Sequence, residues 1–318
     1  MTLADTIRSI DYRRLPLSDY SRAYSLGMLP AMEYYLEIYD RCLDLLLTEV
    51  GKPAAEVTLV DYGGGHGFFS FAAKERGVGR VIYVDINPLA SEAAQQVKQA
   101  AGFGADVLLC GDEQMLCRWC AEHQVKPDGL AGMDVIEHIY RLEPFFRHLD
   151  GLNPQMAMVF STGSTPFNPW VRRRLHRVME KDECGVDTGF RELRRRYIAA
   201  LRPDLTPAEL DRWADATRGL TYEDITVALQ QSVPPQRNRQ IDRYNTCDPA
   251  TGSWTERILP MATYRQLVAP KRLTLVKGFY NCHRRGPKGV VSRLLNTLLQ
   301  LPCTKFLAPF IILKINAQ

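Results

Sequence analysis

Val60-Asp61-Tyr62-Gly63-Gly64-Gly65-His66-Gly67 is the stretch on which the fold turns. It follows Val57-Thr58-Leu59-Val60, a short apolar and β-branched run of the kind buried on both faces of a sheet. It precedes a helix-like segment over 68–76. Glycines at 63, 65 and 67 allow a tight turn and let a ligand approach the main chain with no Cβ in the way. Strand, glycine-rich turn and helix in that order predict the first unit of an open α/β sheet.

The pattern continues downstream. Buried strands are predicted over 80–84, 105–109, 130–135 and 156–160, separated by helices over 87–101, 113–123 and 144–149. Such alternation calls for right-handed crossovers and a parallel sheet covered on both faces. Upstream, a helix opened by Pro30 runs through Met32, Tyr35, Ile38, Cys42, Leu45 and Leu46 and stops at Gly51-Lys52-Pro53. Residues 163–256 break the alternation. They carry basic helical stretches over 170–181 and 190–201, a helical hairpin over 210–231 and a turn-rich run over 232–253 with Pro234 and Pro235. Strand signals return over 273–279 and 310–316. The organisation expected is therefore a helical segment (1–56), a core (57–162), a helical insertion forming a cap (163–256) and a return to the sheet (257–318).

Composition narrows the class. Of 318 residues, 46% are hydrophobic and 24% charged, the balance of a soluble globular chain, which excludes wholesale disorder. No apolar run approaches the roughly 18 residues that cross a bilayer. The first residues, MTLADTIRSIDYRR, lack the apolar core of a secretory signal, and eight scattered cysteines read as reduced thiols of a cytoplasmic protein. A net charge of +4 is too small by itself to argue for nucleic acid.

Two acids at strand ends point to the ligand. Asp85 closes the second strand, where a carboxylate can take both ribose hydroxyls of a nucleoside. Asp112, after the third strand, can accept from an adenine amine. Together they place an adenosine across the carboxyl edge of the sheet. A nicotinamide dinucleotide and a sulfonium methyl donor both contain one. Dinucleotide folds usually carry G-x-G-x-x-G, and here Phe68 stands where the third glycine would be. Asp61, two residues before the first glycine, would repel a pyrophosphate and suit a cationic amino acid.

Asp61–Gly67 resembles the first motif of the class I S-adenosylmethionine-dependent methyltransferases. Asp85 is similar to their ribose-binding acid and Asp112 to their adenine-edge acid. Met133-Asp134-Val135-Ile136-Glu137-His138 resembles the fourth motif of the ubiquinone-biosynthesis type of small-molecule methyltransferases. The resemblance covers about residues 55–162 and returns weakly over 257–279 and at the last strand. It implies a Rossmann-like, seven-stranded, mostly parallel sheet with the last strand antiparallel, helices on both faces and the insertion after strand five. It also implies S-adenosyl-L-methionine as cofactor. Asp61, Tyr62, Gly63, Gly65 and Gly67 would then bind its amino-acid part, Asp61 as a ligand-facing acid, with Asp85 on ribose, Ile86 against adenine and Asp112 with Glu113 at the adenine amine. Asp134 would lie near the methionine amine, and Tyr20 and Tyr24 would close over the cofactor. The rival classes are an NAD-type oxidoreductase and a non-catalytic scaffold that keeps the cofactor fold.

His138 follows strand four, where the transferred methyl group should emerge. An imidazole with a pKa near 6.5 is suited to taking the proton of a hydroxyl acceptor. The bland alternative makes it a residue that packs structurally or binds the backbone, with Glu137 as a surface charge. Cys117, Cys120 and His123 have half the spacing of a metal site. No second Cys-x-x-Cys completes it, so they read as thiols on a buried helix face, with no metal. The basic runs around Arg172–Arg177 and Arg194–Arg196 read first as solvated helix faces, and second as a cap for an anionic or lipid-linked small-molecule acceptor. Nucleic acid is not expected as a partner, because the residues after strand four lack the motifs of base methyltransferases. The apolar tail over 290–315 is cut by Pro302 and Pro309. It is expected to give a helix packed on the sheet and then a strand, rather than a membrane-surface helix.

Overall fold

The computed structural model describes residues 2–185, 188–231, 235 and 242–316. Among them seven strands form one sheet: β1 (Thr58–Tyr62), β2 (Arg80–Asp85), β3 (Val107–Cys110), β4 (Gly129–Met133), β5 (Ala157–Thr162), β6 (Arg272–Lys277) and β7 (Ile311–Asn316). Their order is β3-β2-β1-β4-β5-β7-β6. β1 to β5 are parallel, and β7 runs antiparallel to both β5 and β6. This is the expected Rossmann-like architecture. The chain leaves β1 toward β2 and β3, then returns to lay β4 on the other side of β1. The crevice at that reversal is where open α/β sheets bind ligands.

Alternation along the strands sets the two cores. Leu59, Val81, Tyr83, Ala131, Val159 and Ile312 face helices Met32–Val50 and Phe68–Glu75. Val60, Ile82, Val84, Leu130, Met158 and Phe160 face helices Glu113–Glu122, Leu142–Leu152 and Met261–Val268. Both sets are buried, which is why the parallel strands read as continuous apolar runs. The same parity puts Asp61 on the first face and Tyr62 on the second. β1 extends two residues beyond the predicted run because Asp61 and Tyr62 still pair with Tyr83 and Val84. Helix Met32–Val50 ends as expected, at Gly51 in the left-handed region with φ 67°.

The insertion is helical, with Pro169–Cys184, Phe190–Leu201, Pro207–Ala216 and Tyr222–Gln230. Most of the turn-rich run, at 232–234 and 236–241, lies outside the described residues. The solvated reading of the second basic run needs correction at Arg194, whose side chain is 0% exposed. Its guanidinium meets Glu183 at 2.6 and 3.2 Å and donates to the Ala214 carbonyl, while the Thr246 hydroxyl donates to Glu183 at 2.6 Å. Burial raises the Glu183 carboxyl, and Arg194 outweighs it, leaving the pKa lowered. Of the first run, Arg172 and His176 both meet Asp242 at 3.0 Å.

The expectation for the tail holds for β7 and fails for the helix before it. Helix Pro287–Leu299 turns Gly289, Ser292 and Leu299 inward and leaves Val290, Val291, Leu294 and Leu298 exposed. No helix among the described residues is long and apolar enough to cross a membrane.

Candidate functional site

The glycine turn sits at the carboxyl end of β1. Gly63 has φ 69°, and a Cβ there would lie 2.4 Å from Cγ2 of Val135, so the turn touches the loop after β4 with no room between. Gly65, at φ 54°, is open: its nearest neighbour to a built Cβ is the Tyr24 hydroxyl at 3.8 Å. The turn is tied from two sides. The Tyr83 hydroxyl donates to the Gly65 carbonyl at 2.7 Å, and the Gly65 N–H donates to Asp85 at 2.9 Å.

Asp85 is half-buried at the end of β2, and its other oxygen accepts from the Asn87 N–H at 2.8 Å. Burial raises its pKa, and the two N–H donors oppose the shift. A carboxylate offers about four lone-pair sites, so two remain for a ligand. Beside it Ile86 is 75% exposed, an apolar side chain with its flank open at the edge of the crevice. Helix Asp19–Met28 lies alongside. Tyr20 and Tyr24 stack with centroids 6.5 Å apart, Tyr24 meets the His66 ring edge-on at 4.7 Å, and Ser25 bonds His66 at 2.6 Å. Burial lowers the His66 pKa to about 4, so its imidazole is neutral and serves as a fastener between this helix and the glycine turn.

Two of the expected ligand acids are otherwise engaged. Asp61 is 1% exposed and accepts from the Ser70 hydroxyl at 2.6 Å. Strand parity turns it under the loop toward helix Phe68–Glu75, away from the crevice. Asp112 caps helix Glu113–Glu122, its Oδ1 accepting from the N–H groups of Gln114 and Met115 at 3.1 and 3.0 Å. Glu113 accepts from the Tyr62 hydroxyl at 3.2 Å and bonds His148 at 3.0 Å, so Tyr62 and Glu113 belong to one network beneath the crevice.

Burial lifts the Asp61 carboxyl from 3.8 to about 7, against the opposing Ser70 bond. Between those pH values the folded protein keeps a proton that the unfolded chain has released. Stability therefore falls as pH rises from about 4 to about 7. Asp61→Asn keeps an oxygen for Ser70 and removes the charge. Denaturant unfolding across this range should show a flatter pH profile for the variant and a higher stability than the parent at pH 8. An unchanged slope would assign the dependence to other groups.

The loop after β4 carries the remaining candidates. Asp134 is exposed at its start, with φ 49° in the left-handed region that only a few non-glycine residues adopt. Its N–H donates to the Ser161 carbonyl at 3.0 Å. The exposure is that of the residue as a whole; its carboxyl end is enclosed, and this burial, followed by the charge of Glu256 from the far end of the insertion, raises its pKa to about 6 against the opposing pull of His138. Glu137 is 2% exposed, which overturns its reading as a surface charge. One of its oxygens accepts from Thr162 at 2.7 Å, the other has no partner among the described residues, and burial followed by the charge of Asp134 raises its pKa well above the carboxylate range. His138 is half-buried, and its Nδ1 lies 2.7 Å from the Trp254 carbonyl. A carbonyl only accepts, so Nδ1 carries the proton and the neutral ring keeps a lone pair on Nε2. The Trp254 N–H returns a bond to the His138 carbonyl at 3.2 Å.

Trp254, Glu256 and Arg257 are site neighbours that the sequence reading did not single out. Arg257 lies 4.5 Å over the Trp254 ring and donates to the Tyr140 carbonyl at 3.1 Å. They sit more than a hundred residues from the loop that they brace, and no local motif marks them. Cys120 is buried, Cys117 points at the His148 carbonyl, and His123 stacks on Trp119 at 4.3 Å. Among the described residues no group of histidine, cysteine and carboxylate side chains is arranged to hold a metal.

No protein-family model and no curated protein matches the chain. Several hundred solved chains do. A SAM-dependent methyltransferase from Streptococcus mutans, described as putative, is 13% identical over 41% of this chain and 37% of its own, with a TM-score of 0.31. An S-adenosylmethionine-dependent methyltransferase from Clostridium acetobutylicum is 14% identical over 39% and 50%, with a TM-score of 0.31. A variant of MtNAS in complex with S-adenosylmethionine is 20% identical over 51% and 56%, with a TM-score of 0.35. The chain thus spans less than two thirds of each of these structures.

Proposed function

We propose that the protein transfers a methyl group from S-adenosyl-L-methionine to a hydroxyl oxygen of a small-molecule acceptor. The observation that carries this reading is the pairing of Asp85 with Ile86. A carboxylate with acceptor capacity to spare and an exposed apolar side chain stand together at the carboxyl end of β2, beside the open backbone of Gly65. That juxtaposition suits the ribose hydroxyls and the flat base of an adenosine. Asp134, exposed at the end of β4, supplies the negative charge for an α-amino group. Tyr24, whose hydroxyl feels the charges of both Asp134 and Asp85, covers the space between. Asp112 and Glu113 line the base side, within the limits that their caps and partners impose.

When bound, the cofactor supplies an electrophilic methyl on a sulfonium. The protein would hold the acceptor oxygen in line with that methyl, exclude water and accept the acceptor's proton, with S-adenosylhomocysteine as the product left behind. His138 is the base in this reading, since the Trp254 carbonyl fixes the tautomer with a free Nε2. The insertion, which provides Trp254 and Glu256, forms the wall of the acceptor space.

Two measurements test the proposal. Calorimetric titration with S-adenosylhomocysteine should give saturable binding, and NADH should give none; the reverse result would transfer the site to an oxidoreductase. Methyl-labelled cofactor incubated with a cell extract should then label a small molecule. With that acceptor in hand, His138→Ala should lower turnover by roughly 10²-fold or more at unchanged cofactor affinity. Turnover near that of the parent would leave His138 as a brace for Trp254 only.

A further inference from the structure

Helix Pro287–Leu299 is docked the opposite way round from an ordinary surface helix. Its inward side carries the small or polar Gly289, Ser292 and Asn296 beside the buried Leu299. A Cβ on Gly289 would lie 2.0 Å from the Arg284 carbonyl, so the helix is pressed close to the chain that leads into it. Asn296 pins it, accepting from the Tyr280 N–H at 2.7 Å and donating to the Tyr280 carbonyl at 2.9 Å. The outward side is apolar: Val290, Val291, Leu294 and Leu298 are 53, 53, 62 and 46% exposed, and Leu301 and Phe306 continue the patch at 52 and 46%. At 100° per residue the stripe from Val290 to Leu301 is about 100° wide, a full binding face. Isolated exposed leucines need no explanation, whereas a contiguous stripe marks a contact surface.

The surrounding charge names the partner. Lys288 and Arg293 flank the stripe on opposite sides, and Arg284, Arg285 and Lys305 are exposed nearby. From Arg257 to Gln318 the sequence holds eleven lysines and arginines and not one aspartate or glutamate. A second copy of the chain meeting this face about a two-fold axis would bring two cationic rims together, a mismatch that specific interfaces avoid. An anionic lipid surface accepts the leucines among its acyl chains and the flanking cations among its phosphates, with the long basic side chains reaching up to the headgroups.

We infer that helix Pro287–Leu299, with the turn through Phe306, is a membrane-surface anchor that lies flat on an anionic bilayer. The chain leading into it is tied to the body of the protein, where the Tyr34 hydroxyl donates to the Phe279 carbonyl at 2.8 Å. This inference does not depend on the proposed reaction.

Vesicle flotation of the whole chain tests it. The protein should float with phosphatidylserine-containing vesicles, bind pure phosphatidylcholine vesicles at least about tenfold more weakly, and be released by salt. Leu294→Asp with Leu298→Asp should abolish flotation without changing the melting temperature or S-adenosylhomocysteine binding, because both side chains are exposed. Arg284→Gln with Arg285→Gln should weaken binding to the anionic vesicles only. Equal binding to both lipids, equal binding by the aspartate variant, or a dimer in solution that the aspartate variant dissolves without any vesicle binding would each overturn the inference.

Discussion

Asp85→Ala is expected to weaken S-adenosylhomocysteine binding by roughly two to three orders of magnitude. Its carboxylate is placed to accept from two ribose hydroxyls, and hydrogen bonds to a charged group are worth about 1.5–3 kcal/mol each. At about 1.4 kcal/mol per tenfold, losing both accounts for the drop. The structure adds a second consequence. Asp85 also receives the N–H groups of Gly65 and Asn87, so the variant loosens the glycine turn and the start of the next helix. A stability loss of about 1–2 kcal/mol should accompany the affinity loss. Leu59→Ala is the control, because Leu59 is 0% exposed and remote from the crevice edge. It should cost about 2–5 kcal/mol of stability and leave affinity at temperatures below unfolding nearly intact. Should Asp85→Ala titrate with the affinity of the parent, the adenosine reading of the site loses its support.

The largest expected effect on stability lies in the insertion. Arg194→Leu leaves Glu183, 3% exposed, without its bidentate partner, and a buried uncompensated carboxylate costs about 3–5 kcal/mol. Arg218, 3.8 Å from Glu183, offsets part of that. Replacing both residues, Arg194→Leu with Glu183→Leu, should recover most of the loss, since apolar substitutes for a buried pair are often neutral. Equilibrium denaturation of the two variants checks the contrast. If the single and the double variant were equally destabilised, packing volume rather than the unpaired charge would be the cause.

Much of this molecule is written in local patterns. Apolar runs of four to six residues mark the strands, the glycine turn fixes the carboxyl edge, and Asp85 declares itself by its position at a strand end. Strand parity was also legible. Counting from Leu59 puts Asp61 on the same face as Leu59, the one that helix Phe68–Glu75 covers, where its carboxyl meets Ser70. Other features depend on which neighbour arrives. Arg194 sits in a run of three arginines, and nothing in that run says that Glu183 and the Ala214 carbonyl converge on its side chain, with Thr246 on Glu183. Glu137 is hidden among β5 residues, where the Thr162 hydroxyl donates to it. The stripe on helix Pro287–Leu299 was visible as periodicity. Periodicity says which residues share a face and leaves open whether any element covers it.

The position of β7 bears on how the protein emerges from the ribosome. β6 is hydrogen-bonded to the sheet through β7 alone, and β7 comes 34 residues after β6 ends. While those residues are still being made, β6 has no strand to pair with, and the edge of β5 stands open beside it. An unpaired edge next to an unattached strand invites pairing with other chains. The five parallel strands can assemble as soon as β5 is out, so the vulnerable interval begins there and includes synthesis of the whole helical insertion. Arrival of Ile311–Asn316 pairs the edge of β5 and the waiting β6 in one step, because β7 is the strand that joins them.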